Sequence, residues 1–216
     1  MTLRAGDLTF QLNHAIGETD DHLWAWIPEH KAICSSDFVT WVFPNAGNPQ
    51  KVQRYPLEWA KARIATVLDT IATALETLVQ QSLEMMNNGA RFDDVLHNVK
   101  LPGHFMDKPY LKPVYDEPEF ILHNIWRLYG GWYDGNPSRL KPAPDALLAQ
   151  EIVTLAGGSG PVIARAQALA DTGDDADMRL ACDLIEAVAL AEPDNRDAHL
   201  ARAQIYGTRR EAELSL

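Results

Sequence analysis

Tyr129-Gly-Gly-Trp-Tyr-Asp-Gly-Asn-Pro137 decides how the rest of this chain is read. It follows a run, Pro118 to Tyr129, in which Ile121, Leu122, Ile125, Trp126, Leu128 and Tyr129 recur at three- and four-residue spacing. That spacing predicts one apolar helix face. Two glycines then end the helix, because they reach backbone angles that a Cβ disfavours. Asp134-Gly135 predicts a tight turn, and Pro137 holds Asn136 extended. The structural reading is a packed corner between helices. Two aromatics with polar tips, Trp132 and Tyr133, could equally wall a pocket for an amphiphilic ligand.

Outward from that corner the chain changes character. Leu8-Thr-Phe-Gln-Leu12 and Leu23-Trp-Ala-Trp-Ile27 alternate with period two, which predicts strands. Pro28 to Lys31 predicts a turn, and Ala32-Ile-Cys34 a strand running into Asp37. Residues 44–56 form a Pro-, Gly- and Asn-rich loop, and Pro56 suits the first turn of a helix. From Leu57 to Asn87 the apolar stripe is continuous, with Ile64, Val67, Leu68, Ile71, Leu75, Leu78, Val79 and Leu83. A short helix from Phe92 to Val99 and a proline-punctuated connector lead back to the corner. After Pro144, helices are expected near 145–156, 161–171, 177–191 and 195–206. The last pair has the alanine-rich look of a single tetratricopeptide-like hairpin, too little for a repeat array.

Composition narrows the function. The 216 residues carry a formal charge of −11, which argues against nucleic acid, whose phosphates need a basic footprint. No run is long and apolar enough to span a bilayer. The opening Met1-Thr-Leu-Arg-Ala-Gly-Asp7 has no signal-peptide pattern, so a cytoplasmic location is expected. Cys34 and Cys182, far apart and outside any Cys-x-x-Cys pair, are expected to be buried, inert thiols.

Leu128-Tyr-Gly-Gly-Trp-Tyr-Asp-Gly-Asn-Pro-Ser-Arg-Leu-Lys-Pro142 resembles the signature of the dimerisation domain of alkyl sulfatases with a metallo-β-lactamase fold. The resemblance extends to Tyr115-Asp-Glu-Pro-Glu-Phe120, Asn45-Ala-Gly-Asn-Pro-Gln-Lys-Val-Gln-Arg-Tyr-Pro56 and Gly17-Glu-Thr-Asp-Asp-His22. It implies an α+β, mainly α chain. Residues 1–56 would be a partial metallo-β-lactamase-like β region, and 57–216 an all-helical dimerisation domain, with the catalytic domain truncated. It also implies a homodimer, an alkyl sulfate substrate and two zinc ions that activate water and offset developing charge on the sulfate.

The family's metal loop reads His-x-His-x-Asp-His, yet the histidines here stand at 14, 22, 30, 97, 104, 123 and 199, with no His-x-His pair. By the resemblance, Glu18 and Asp37 fall at two carboxylate ligand positions and are expected as remnant ligands. Asp20, Asp21 and His22 make Glu18 part of a local cluster able to bind a cation weakly. His104 is not assigned as a ligand, and no catalytic proton donor is assigned. The loop where relatives hold sulfate here offers Asn45, Asn48, Lys51 and Arg54, with Trp132 and Tyr133 added from the corner; Arg54 presents a planar fork suited to a tetrahedral anion. The resulting expectation is a dimerising helical module lacking a complete two-zinc site. The alternative is an active alkyl sulfatase completed by a partner chain that supplies the histidine-rich half.

Overall fold

A computed structural model describes residues 1–40, 42–47, 53–61 and 66–214. Among them four strands form one antiparallel sheet in sequence order: β1 (Thr2–Ala5), β2 (Leu8–His14), β3 (Leu23–Ile27) and β4 (Ala32–Cys34). The register pairs Ala5 with Leu8 across a two-residue turn, where Gly6 takes φ +59°. That left-handed angle carries no Cβ penalty in glycine. β1 has too little alternation to be read from sequence; its pairing with β2 makes it a strand.

The expected continuation of β4 to Asp37 is not found. Ser36 adopts φ +49°, and Ser36–Phe38 closes into a single 3-10 turn that buries Phe38 completely. Removing that large ring from water offsets one unfavourable backbone angle. Cys34 also departs from expectation. It lies at the end of an edge strand and is exposed, whereas Cys182 is buried.

Helices follow: α1 (Pro56–Ala60), α2 (Thr66–Asn87), α3 (Phe92–Asn98), α4 (Gly103–Met106) and α5 (Pro118–Tyr129). The run expected as one helix from Leu57 to Asn87 is two. α1 is capped at Lys61 and packs against α2, which lets Trp59 enter the core. Ile64 of the expected stripe lies outside the described residues. Leu68, Ile71, Leu75, Leu78 and Val79 of α2 are buried, with Ile121, Leu122 and Ile125 of α5 in the same cluster. Phe38, Phe43 and Ala46 join that cluster, so the segments after the sheet are pinned by the helical core.

The quoted corner ends α5 as the glycines require. The Gly130 amide donates to Trp126 O at 2.6 Å, and Gly131 has φ +79°. The Trp126 indole donates to Tyr133 O at 3.0 Å, and the Phe92 amide donates to Asp134 O at 2.9 Å. The turn is thereby tied to its own helix and to the start of α3.

The chain divides into two compact units, Met1–Asn136 with Leu214, and Pro137–Glu213. The second unit contains α6 (Asp145–Leu155), α7 (Ser159–Ala170), α8 (Asp175–Ala191) and α9 (Arg196–Ala212), close to the expected spans. α6 and α7 both pack on α8, and α9 closes the hairpin. Small residues, Ala181, Ala198 and Ala201, are fully or almost fully buried between them, which permits close helix approach. Asp174 and Asn195 cap α8 and α9 by accepting from the Asp177 and Ala198 amides.

Candidate functional site

Three loops of the first unit converge on one cleft of about 510 Å³. Glu18 comes from the turn after β2, Asp37 and Thr40 from the segment after β4, and Asn45 from the loop that follows Phe43. Val114 and Tyr115 from the connector before α5 complete the wall. Sequence reasoning missed Thr40 and Tyr115 as lining residues. The only signal for Tyr115 was its place at the head of a stretch carrying the family resemblance.

Two side chains meet one oxygen of Glu18. Its Oε1 accepts from Asn45 Nδ2 at 2.6 Å and faces Arg54 Nη2 at 3.5 Å. Arg54 is only 7% exposed, and Asn45 is buried as well. Among the described residues, Arg54 Nε and Asn45 Oδ1 have no hydrogen-bond partner. A guanidinium this deep needs a counter-charge, and Glu18 supplies it.

His22 packs against Phe38 and bonds to the backbone of its own loop. It is buried, its Nδ1 accepts from the Glu18 amide at 3.1 Å, and its ring lies 4.4 Å from that of Phe38. Gly17 makes this possible, since a Cβ there would stand 2.7 Å from His22 Nδ1 and 2.8 Å from Phe38 Cε1. The Thr19 hydroxyl donates to Asp21 at 2.8 Å and holds that exposed carboxyl below its ordinary pKa. His14 Nε2 lies 2.7 Å from the Asp20 carbonyl. The acidic cluster expected around Glu18 is therefore dispersed among separate local partners.

The loop beyond Asn45 is fixed to α5. The Gly47 amide donates to the buried Asp116 carboxylate at 3.4 Å. A Cβ on Gly47 would meet Ile121 Cα at 2.8 Å, so the loop and helix touch backbone to backbone. The Gln53 amide side chain donates to Asn124 O at 3.0 Å. Asn48 and Lys51 lie outside the described residues. Trp132 and Tyr133 are not among the described residues lining the cleft. Trp132 is 77% exposed at the end of α5, with the Tyr133 ring edge-on at 6.3 Å. His104 is exposed and stacks on Phe105.

Zinc sites take three or four nitrogen, sulfur or carboxylate donors. Among the described residues no three His, Cys, Asp or Glu side chains come together to offer that set. Glu18 and Asp37 share the cleft, with Glu18 Oε1 engaged by Asn45 and facing Arg54, and His22 Nδ1 accepting a backbone N–H. The residues described here do not fit a two-zinc centre.

A small antiparallel sheet pinned to a helical core, followed by a compact helical unit, defines an α+β, mainly α protein. A family model described as alkyl sulfatase dimerisation matches residues 91–216, more than half of the chain. This chain belongs to that family. An (R)-specific secondary-alkylsulfatase of Pseudomonas is 31% identical over 146 residues, covering 67% of this chain and 22% of the relative. A linear primary-alkylsulfatase of Pseudomonas is 24% identical over 183 residues, covering 72% and 35%. An alkyl/aryl-sulfatase of Saccharomyces cerevisiae is 26% identical over 118 residues, covering 55% and 18%. The chain thus spans between about a fifth and a third of these curated relatives. The solved structure of a stereoselective inverting sec-alkylsulfatase from Pseudomonas superposes with a TM-score of 0.85 at 22% identity, over 97% of this chain and 37% of that one. A double mutant of a sec-alkyl sulfatase gives 0.83 at 24% identity, over 96% of this chain and 37% of that one. These likenesses establish the fold. Among the described residues no single helix is long and apolar enough to cross a membrane.

Proposed function

We propose that this alkylsulfatase-like chain works as a dimerising helical module and does not by itself assemble a two-zinc site. In this reading residues 1–56 are the partial metallo-β-lactamase-like β region, and 57–216 are the helical association part. The observation that carries it is that among the described residues no three His, Cys, Asp or Glu side chains come together, while Glu18 Oε1 accepts from Asn45 and faces Arg54. A metal site short of most of its donors loses affinity steeply. The family match over 91–216 supports association with a second copy.

A second reading draws on a different observation. Glu18 and Asp37 line one cleft, and among the described residues β1 and β4 are the edge strands of the sheet, the positions where a further strand can add. A partner chain carrying the histidine-rich half of the catalytic domain could pair there and complete a zinc-dependent alkyl sulfatase.

Three measurements on freshly purified protein separate the readings: mass in solution, zinc content before any chelator, and sulfate release from dodecyl sulfate. The module reading expects a dimer with no retained zinc and no sulfate release. Two zinc ions kept per chain through desalting, together with hydrolysis, would overturn it. Hydrolysis that appears only when a histidine-rich partner is added would favour the second reading.

A further inference from the structure

The hydrogen bonds within the cleft leave its lining with acceptors in excess. Glu18 can only accept, so the Asn45 amide turns Nδ2 toward Glu18 Oε1 and keeps Oδ1 as an acceptor. That Oδ1 is buried without a partner among the described residues, and Asn45 as a whole is 5% exposed. A buried acceptor in this state calls for a donor. Thr40 repeats the arrangement. Its hydroxyl donates to Val42 O at 3.1 Å, which leaves only lone pairs. Both Glu18 contacts fall on Oε1, so Oε2 and the exposed Asp37 carboxylate add further acceptors.

Charge points the same way. Two carboxylates line the cleft, and among the described residues no cationic side chain does. Arg54 stands beside Glu18 and offsets one of the two charges. Val42, Phe43 and Val114 supply an apolar wall, and Tyr115 an aromatic ring.

We propose that this cleft binds a small primary alkylammonium ion. Its N–H groups are directed at the Asn45, Thr40, Glu18 and Asp37 oxygens, and its chain lies against Val42, Phe43 and Val114. An ammonium group carries three donors and no acceptor, the complement of this lining. Its charge is also drawn to an aromatic face of the kind Tyr115 offers. The volume of about 510 Å³ falls within the range of small-molecule sites. An alkyl sulfate fits less well, because it brings acceptors and negative charge to a lining that already has both. A bare zinc ion needs three or four donors close together, and among the described residues no three His, Cys, Asp or Glu side chains supply them. The inference rests on the reading that this chain by itself holds no pair of zinc ions.

The test is calorimetric titration of the full chain with hexylammonium chloride, 1-hexanol and sodium hexyl sulfate, which share one tail. Hexylammonium is expected to bind with a Kd below about 1 mM and at least about tenfold more tightly than the other two. Equal or tighter binding of hexanol or hexyl sulfate overturns the inference. D37N removes one carboxylate and should weaken hexylammonium about tenfold, whereas E151Q, on α6 of the second unit, should bind as wild type. D37N binding as wild type overturns the inference, and so does an equal loss in E151Q. Circular dichroism checks the fold. Should D37N unfold, V114K replaces it, placing a fixed cation at a wall residue that is 48% exposed. V114K should also bind about tenfold more weakly, and unchanged binding overturns the inference. Zinc analysis of the same sample keeps the two readings apart. A zinc-free chain that does not bind hexylammonium overturns this inference alone. A chain that retains two zinc ions overturns the zinc-free reading and this inference with it.

Discussion

Arg54 Nη2 stands 3.5 Å from Glu18 Oε1, and both groups owe their position to loops rather than to the sheet or helices beside them. The pair is asymmetric. The Arg54 side chain keeps 9% of its surface in contact with water and the Glu18 side chain 25%. Asn45 completes the arrangement by donating to the same Glu18 Oε1 at 2.6 Å. This small network lies in the part of the cleft where the family resemblance places a ligand.

Replacing Arg54 by methionine should destabilise the first unit by about 2 kcal/mol, less than the roughly 3–5 kcal/mol of a fully buried pair, because Glu18 retains water. Urea unfolding of R54M, E18Q and the double variant checks this. The double variant should cost less than the two singles added together, and strict additivity would show the pair to be uncoupled.

Gly47 and Gly207 should respond to alanine in opposite directions. At Gly47 a Cβ meets the backbone of Ile121 and Phe120, neither able to move alone, so G47A should cost about 1–3 kcal/mol. At Gly207, inside α9, a Cβ meets nothing within 4 Å, so G207A should add about 0.5–1 kcal/mol of stability. Thermal unfolding of the two variants against wild type measures the difference in sign.

Asn195 joins three groups at the turn into α9. It accepts from the Ala198 amide at 3.0 Å and donates to Glu192 at 2.6 Å and Ser159 at 3.4 Å. N195A should cost about 1 kcal/mol, chiefly through the lost cap. Hydrogen exchange should report faster opening of the first turn of α9, with α3 unchanged.

His123 provides a pH dependence with a definite sign. Its ring lies 4.7 Å from that of Phe92, and loss of water there lowers its pKa below 6.5, while Glu119 pulls weakly the other way. The unfolded chain therefore binds this proton more readily than the folded one. Stability from this residue is present above pH 6.5 and declines as pH falls from there toward the folded value. An NMR titration should give a His123 midpoint below 6.5, and H123Q should show a shallower loss of stability between pH 7.5 and 5.5.

The residues that act through near neighbours were readable directly. The span of α5 follows from the spacing of Ile121, Leu122 and Ile125, Pro118 at its first turn and the two glycines at its end. The helices of the second unit were readable for the same reason. Where a distant group intervenes, the reading failed. Ser36 takes a left-handed angle to bury Phe38, α1 breaks from α2 to seat Trp59, and Cys34 is left exposed at a sheet edge.

The sequence by itself determined the helical character, the corner at Gly130-Gly131, the lack of any His-x-His pair and the family resemblance. These depend on residue type and short spacing, where backbone geometry is set by adjacent side chains. Only the tertiary structure decided that Glu18 is gripped by Asn45, 27 residues away, and that Gly47 meets Asp116, 69 residues away. Such contacts form when separate segments bury apolar surface together, and no local pattern records which partner each polar group will then find.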